Sequence, residues 1–354
     1  MFSSSASSSQ QHQLKDTELN PAPNDGISDL AFSPSSDLLA VSSWDNQTRI
    51  YDVQLNTFNS SFNSIPKTAI VHDQPVLSCA FSSDGSKVFS AGCDKQIKVL
   101  DLQSGQQIAL QGHHDQPIKS IKWSATLNTL VSASWDKTLK YWDLRSPGPV
   151  ASVALPERAY SMDLCKGHIV VGCAERHLAF VSLSSPGQLY KQSLTNLKWQ
   201  TRVVSCYSNS EGYALGSIEG RVSLNNFEDG PKSSSEFTFK CQRNDSLVYA
   251  VNAISFHPIH GTFSTAGSDG TWAIWDKDSK QRLKASDKAP NAICATAFNR
   301  NGNIFAYGVG YDWSKGYEHN QRDGKNMVFL NATKDADVKP RSSSSSSSVP
   351  FRRR

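Results

Sequence analysis

The chain has little charge of either sign to spare: 36 Lys and Arg stand against 32 Asp and Glu, so the formal net charge is only +4 over 354 residues. It is no polycation, and nucleic-acid binding would have to come from a local patch. No stretch approaches about 18 apolar residues, and residues 1–13 are rich in Ser and Gln without an apolar centre. Neither a membrane span nor a secretory leader is expected, and without a leader the sequons at Asn46 and Asn331 carry no weight. The seven cysteines are odd in number, widely spread and free of any Cys-x-x-Cys pair. They read as reduced, mostly buried thiols of a cytosolic or nuclear protein, not as metal ligands. Catalytic signatures are missing as well. There is no Gly-x-Ser-x-Gly elbow, no phosphate-cradling Gly loop opening a helix and hardly any helical pattern. Ser134 and Lys137 spell Ser-x-x-Lys but fall in a hairpin, and His257 and His260 share a Pro-bearing turn without a third ligand nearby. No catalysis, cofactor or metal is expected.

What is present is a repeat. Hydrophobic residues make up 38% of the chain and aromatics 10%, with eight Trp, enough for a large core. An acid recurs at Asp45, Asp94, Asp136, Glu175, Glu219, Asp269 and Asp312, at intervals of about 40–50 residues, the length of a propeller blade with its loops. Each acid sits in a tight turn between two alternating apolar runs, a hairpin signal, and a further strand precedes each hairpin. In the third unit Leu130, Val131, Ser132, Ala133 and Ser134 lead into Trp135-Asp136-Lys137, with Thr138, Leu139, Lys140, Tyr141 and Trp142 beyond. The fold class is therefore all-β, a seven-bladed β-propeller of WD repeats. A four-stranded blade has two apolar faces that only its neighbours in a closed ring can cover.

The blade signature is degenerate. Six residues past the first six acids stand Tyr51, Leu100, Trp142, Val181, Asn225 and Trp275, so only the third and sixth units keep Trp there. Gly112-His113 and His72 match the glycine-histidine position, and His113, Ser132, Asp136 and Trp142 are expected to form a buried hydrogen-bonded chain with a structural role. The propeller is expected to span 15–338. The last unit has strands around Ile293, Ile304 and Met327, and the segment 15–20 is the expected closing strand. Residues 1–14 and 339–354, the latter with a Ser run and a terminal Arg352-Arg353-Arg354, are expected to be disordered tails.

Several stretches are more specific than a generic WD repeat: Ser43-Trp44-Asp45, 134–143, 156–163, 197–202, 216–221, 237–243 and Tyr311-Asp312-Trp313-Ser314-Lys315-Gly316. Together they resemble the RNA export factor family of nuclear-pore propellers. Gln200-Thr201-Arg202, 217–221 and Phe239-Lys240-Cys241 are shared with the sister family of spindle-checkpoint propellers, whereas 156–163 and 311–316 look more like the export factor. The resemblance implies a non-catalytic scaffold for messenger-RNA export at the nucleus, nuclear envelope and nuclear pore complex, with some cytoplasmic protein. It would bind the acidic GLEBS segment of an FG-repeat nucleoporin, and RNA or a messenger ribonucleoprotein. Checkpoint or microtubule-associated partners also fit the resemblance, and a WD-repeat substrate receptor in an enzyme complex is the alternative of another class.

The residues agree with that implication. Arg158, Arg176, Arg202, Arg221, Lys240 and Arg243 fall in or beside the fourth to sixth units, and a guanidinium fork grips carboxylates with two parallel hydrogen bonds. With Trp199 they form the expected nucleoporin-peptide site. Trp313, followed by Lys315, Arg322 and Lys325 in a long loop, is the expected RNA site, the aromatic for stacking and the cations for phosphate.

Overall fold

A computed structural model describes residues 16–56, 61–227, 236–320 and 324–340. Seven four-stranded antiparallel sheets stand around a central channel as blades. Their innermost strands are Ile27–Phe32, Val76–Phe81, Ile118–Ser124, Ala159–Leu164, Thr201–Cys206, Val251–Phe256 and Ile293–Phe298, and each contacts the next, the seventh returning to the first. Six blades are built from consecutive strands. The seventh takes its outermost strand from the other end of the chain: Thr17–Glu18 pairs with Met327–Ala332, Thr17 opposite Leu330 and Glu18 opposite Phe329.

Burial follows from this stacking. The second strand of a blade is covered on both faces, so Thr129–Ser134, Gly212–Ser217 and Ile304–Val309 are buried throughout, while the outermost strand Leu189–Leu194 alternates half-buried and exposed. The described apolar core divides into seven clusters, one at each blade interface. Leu30, Val41 and Tyr51 of the first blade meet Ala306 and Leu330 of the seventh, so the closing interface is packed like the others.

Two irregularities recur in every blade. The residue after each acid is left-handed: Asn46, Lys95, Lys137, Arg176, Gly220, Gly270 and Trp313 all have φ between 60° and 77°. Asp94, Asp136, Asp269 and Asp312 accept a hydrogen bond from the backbone N–H two residues on, at 2.9–3.3 Å. At these four positions the acid closes the turn. The second irregularity is a bulge at the start of each innermost strand, where the register shifts across one extra residue. A bulge re-aims the side chain it carries. The seven bulged residues, Ser28, Leu77, Lys119, Tyr160, Arg202, Asn252 and Cys294, all line the channel.

Register also fixes what shares a face. The start of each innermost strand lies opposite the end of the second, as Ile27 opposite Ser43 and Thr201 opposite Ser217. The acid turns and the loops between blades therefore lie together on one face, called upper here.

Candidate functional site

Hydrogen-bonded chains run through two blades. In the third, Trp142 Nε1 donates to Ser132 Oγ at 2.7 Å, Ser132 Oγ is 2.7 Å from His114 Nε2, and His114 Nδ1 is 2.8 Å from Asp136 Oδ2. The histidine is thus His114 and not His113. Gly112 turns with φ 89°, His113 is exposed with its carbonyl accepting from Lys140 Nζ, and the buried position goes to the next residue, whose N–H bonds Lys95 O. In the sixth blade Gln242 stands where the histidine would be. Its Nε2 donates to Asp269 Oδ1 at 3.0 Å, its Oε1 accepts from Thr265 Oγ1 at 3.4 Å, and Trp275 Nε1 donates to Thr265 at 2.8 Å. In the second blade His72 meets Asp94 at 2.7 Å, but Ser90, in the place of Ser132, pairs with Thr48 Oγ1 at 2.7 Å, Leu100 holds the Trp position, and His72 Nε2 is left without a partner. These buried groups hold turns in place and take no part in a surface site.

The expected peptide-binding residues divide into two groups. One gathers on the upper face around the turn carrying Glu219. Arg243 donates from Nη2 to Glu219 O at 2.8 Å, Arg221 Nε lies 3.5 Å from the Glu219 carboxylate, and Lys198 N donates to Glu219 Oε1 at 3.2 Å. Lys240 is cross-strand to Arg221. The turn presses so closely on the next loop that a Cβ on Gly220 would come within 2.7 Å of Cys241 O and 2.9 Å of Tyr249 O. Trp199, 60% exposed, lies beside Lys198, and Ile218, Leu247 and Val248 are also exposed. The last two belong to a small hairpin pairing Arg243–Asn244 with Leu247–Val248. Sequence reading passed over Ile218, Leu247 and Val248, although an apolar pair in a polar loop between strands is the signal that could have drawn attention to them. Arg158 is exposed beside Glu157, and Arg176 donates from Nη2 to Thr195 O at 2.9 Å, tied to its own blade.

Arg202 belongs to the second group. Its bulge turns it into the channel, where Nη2 lies 3.5 Å from Asp312 O, so it neighbours Trp313 and not Arg221 or Arg243. Trp313 is 47% exposed at the upper mouth, its ring 5.5 Å from that of Tyr311. Lys315, Tyr317 and Lys325 are exposed on the same loop, and Arg322 lies outside the described residues. A bulky aromatic held at φ 60° is strained by about 1–2 kcal/mol. The Asp312 carboxylate anchors the turn, accepting from Ser268, from Asn252 Nδ2 at 3.1 Å and from Ser314 N at 3.1 Å.

Cations and exposed aromatics dominate these surfaces, and among the described residues no set of three His, Cys, Asp or Glu is placed to hold a metal ion. No helix among them is long and apolar enough to cross a membrane. The most acidic thiol is Cys165, brought to about 6 by its contact with the Cys206 thiol, although burial opposes the shift.

The family model for the WD domain, G-beta repeat, matches residues 16–52, 65–101, 105–143 and 235–276. Over most of its length the chain is similar to three curated proteins. It is 47% identical over 338 residues to the mRNA export factor GLE2 of Chaetomium thermophilum, covering 93% of each chain. It is 44% identical to the Poly(A)+ RNA export protein of Schizosaccharomyces pombe and 49% identical to Protein RAE1 of Arabidopsis thaliana, in both cases over 92% of this chain and 93% of the relative.

Proposed function

The chain belongs to the mRNA export factor family of WD-repeat propellers, and from that premise we propose that it is a non-catalytic docking platform at the nuclear pore. It holds the GLEBS segment of an FG-repeat nucleoporin on its upper face. The observation that carries this reading is the cluster around Glu219. Arg221, Lys240 and Arg243 share the neighbourhood of this turn with exposed Trp199, Ile218, Leu247 and Val248, so cations that can pair with an acidic segment stand near apolar side chains that can anchor it. Trp, Tyr and Arg are the residues that dominate such interfaces.

Arg221 and Arg243 touch acceptors on one turn without being consumed by a buried ion pair, so their remaining donors can meet carboxylates. Reversing Arg243 to Glu is expected to weaken a synthetic GLEBS peptide by about 2–5 kcal/mol if the contact is desolvated, with the fold intact. Calorimetry reads the affinity and circular dichroism the fold. Unchanged affinity in a folded variant overturns this placement of the peptide.

A second element of the proposal is single-stranded RNA on the Trp313 loop, favoured by the backbone strain that holds this Trp outward and by Lys315 and Lys325 beside it. Trp313→Ala should lower affinity at every salt concentration, since stacking is worth about 1–3 kcal/mol. Neutralising Lys315, Arg322 and Lys325 together should flatten the log-affinity against log-salt slope by up to about 2 units. Fluorescence anisotropy with the nucleoporin segment bound checks both, and no change in either variant removes RNA from this loop.

A further inference from the structure

The channel holds a pairing of charges that neither expected surface explains. Of the seven bulged residues on its wall only Lys119 and Arg202 are charged; both are cations, from the third and fifth blades. Neither makes a hydrogen bond or ion pair to a carboxylate among the described residues; the one polar contact there is that of Arg202 with the Asp312 carbonyl. The nearby acids are committed elsewhere. Asp29 accepts from Ser78 Oγ at 2.7 Å and Cys79 N at 3.2 Å, Asp163 from Cys206 N at 2.7 Å, and Asp312 anchors its own turn. A second lysine, Lys122, lies in the field of Asp163 and Asp29, which outweighs its burial and raises its pKa. At Lys119 burial prevails and lowers the pKa, with Asp29 opposing the shift and the charge of Arg202 adding to it.

Two like charges facing one cavity repel each other more strongly than they would in water. An anion entering between them removes that repulsion and supplies the missing acceptors. The cavity holds about 1020 Å³ and opens at the upper mouth among Trp44, Trp135, Tyr160, Tyr311 and Trp313. A closed ring admits a ligand only along its axis, so an end group fits where the middle of a polymer does not. A phosphate monoester offers a guanidinium and an ammonium three acceptor oxygens and carries up to two negative charges. The aromatic mouth suits a planar group attached to it.

We propose that the upper mouth of the channel is a binding site for a phosphate monoester bearing an aromatic base, gripped by Lys119 and Arg202 and walled by Trp44, Trp135 and Trp313. The ligand is a free nucleotide or the terminal phosphate of a strand. The site does not depend on RNA binding by the loop cations Lys315 and Lys325, so failure of one reading leaves the other standing.

The test uses the full chain, with inorganic phosphate and adenosine 5′-monophosphate as probes, followed by calorimetry and tryptophan fluorescence. Saturable binding of the monophosphate is expected, with adenosine alone much weaker. Lys119→Met and Arg202→Met should each weaken it by about tenfold or more, as expected for loss of a charge-assisted hydrogen bond. Lys315→Ala with Lys325→Ala should leave it unchanged. Melting without ligand checks folding, and Lys119→Met should not lower the midpoint, because the half-buried cation it removes makes no hydrogen bond or ion pair among the described residues. Absence of saturable binding, or binding retained in both Met variants, overturns the proposal. A 5′-phosphorylated oligonucleotide binding more tightly than its 5′-hydroxyl counterpart identifies strand ends as the source. Equal binding of the two, with the monophosphate still bound, identifies free nucleotides.

Discussion

Replacing His114 by Ala, with His113→Ala beside it, separates the buried chain of the third blade from its exposed neighbour. The His114 ring is fully buried. Trp142 Nε1–H can only donate, so Ser132 Oγ accepts from it and donates its O–H to His114 Nε2. His114 Nδ1–H then donates to Asp136. Truncation removes the acceptor of Ser132 and one donor to Asp136, at about 1–3 kcal/mol for stranded buried groups, and leaves an imidazole-sized void next to Trp142. Asp136 keeps the N–H groups of Asp115 and Thr138 at 2.9 Å, which limits the loss. A destabilisation of about 3–5 kcal/mol is expected for His114→Ala, against about 0.5 kcal/mol or less for exposed His113→Ala. Urea unfolding followed by tryptophan fluorescence measures both. The pH dependence has a definite sign. Burial opposes ionisation of Asp136, but hydrogen bonds from His114 and Thr138 outweigh it and hold the carboxyl below its ordinary range. The stability this confers is full above the unfolded value of about 3.9 and is lost as pH falls toward the folded one. Without His114 the folded value rises, so the gap between wild type and variant should narrow as pH falls below the ordinary carboxylate range toward the wild-type folded value. Equal midpoints for the two histidine variants, or a gap that widens on acidification, would refute the reasoning.

Deleting residues 16–20 should lower the melting midpoint by several degrees. The deletion removes fully buried Leu19, its N–H bond to Val328 O at 2.8 Å, and the Asp16 contacts of Tyr307 at 2.5 Å and Asn331 at 2.6 Å; calorimetry reads the shift. Under limiting iodoacetamide near pH 7, Cys165 should be alkylated first, because its pKa is brought to about 6 while burial pushes Cys79, Cys173, Cys241 and Cys294 up. Peptide mass spectrometry ranks the sites, and equal labelling of all seven thiols contradicts that order. Trp313→Gly should cost little stability, since relief of a left-handed backbone worth about 1–2 kcal/mol offsets a half-exposed ring, while RNA affinity falls. A large drop in melting midpoint would instead make Trp313 a cap on its blade.

The ring was legible in the sequence because each blade repeats a physical necessity. A left-handed residue follows each acid, and at Asp94, Asp136, Asp269 and Asp312 the carboxylate takes a backbone N–H two residues on, so the turn keeps its acid even in the second blade, where Leu100 stands in the place of Trp142. Loop details were not legible. The loop before the third blade uses one more residue than the glycine-histidine pattern allows, which moved the buried ring from His113 to His114, and Gln242 performs the same bonding with no histidine at all. The division of the arginines was hidden for a different reason. Arg202 follows Trp199 closely in sequence, but a bulge at the strand start turns it into the channel, and a shift of register leaves no mark in composition or alternation. One signal was open to inspection. The seven residues after the acids are Asn46, Lys95, Lys137, Arg176, Gly220, Gly270 and Trp313. Six are small, flexible or tolerant of left-handed backbone, and the seventh is the largest side chain there is. The left-handed cost falls on Lys95, Lys137 and Arg176 as well, so what sets Trp313 apart is the size of its half-exposed ring at the mouth of the channel.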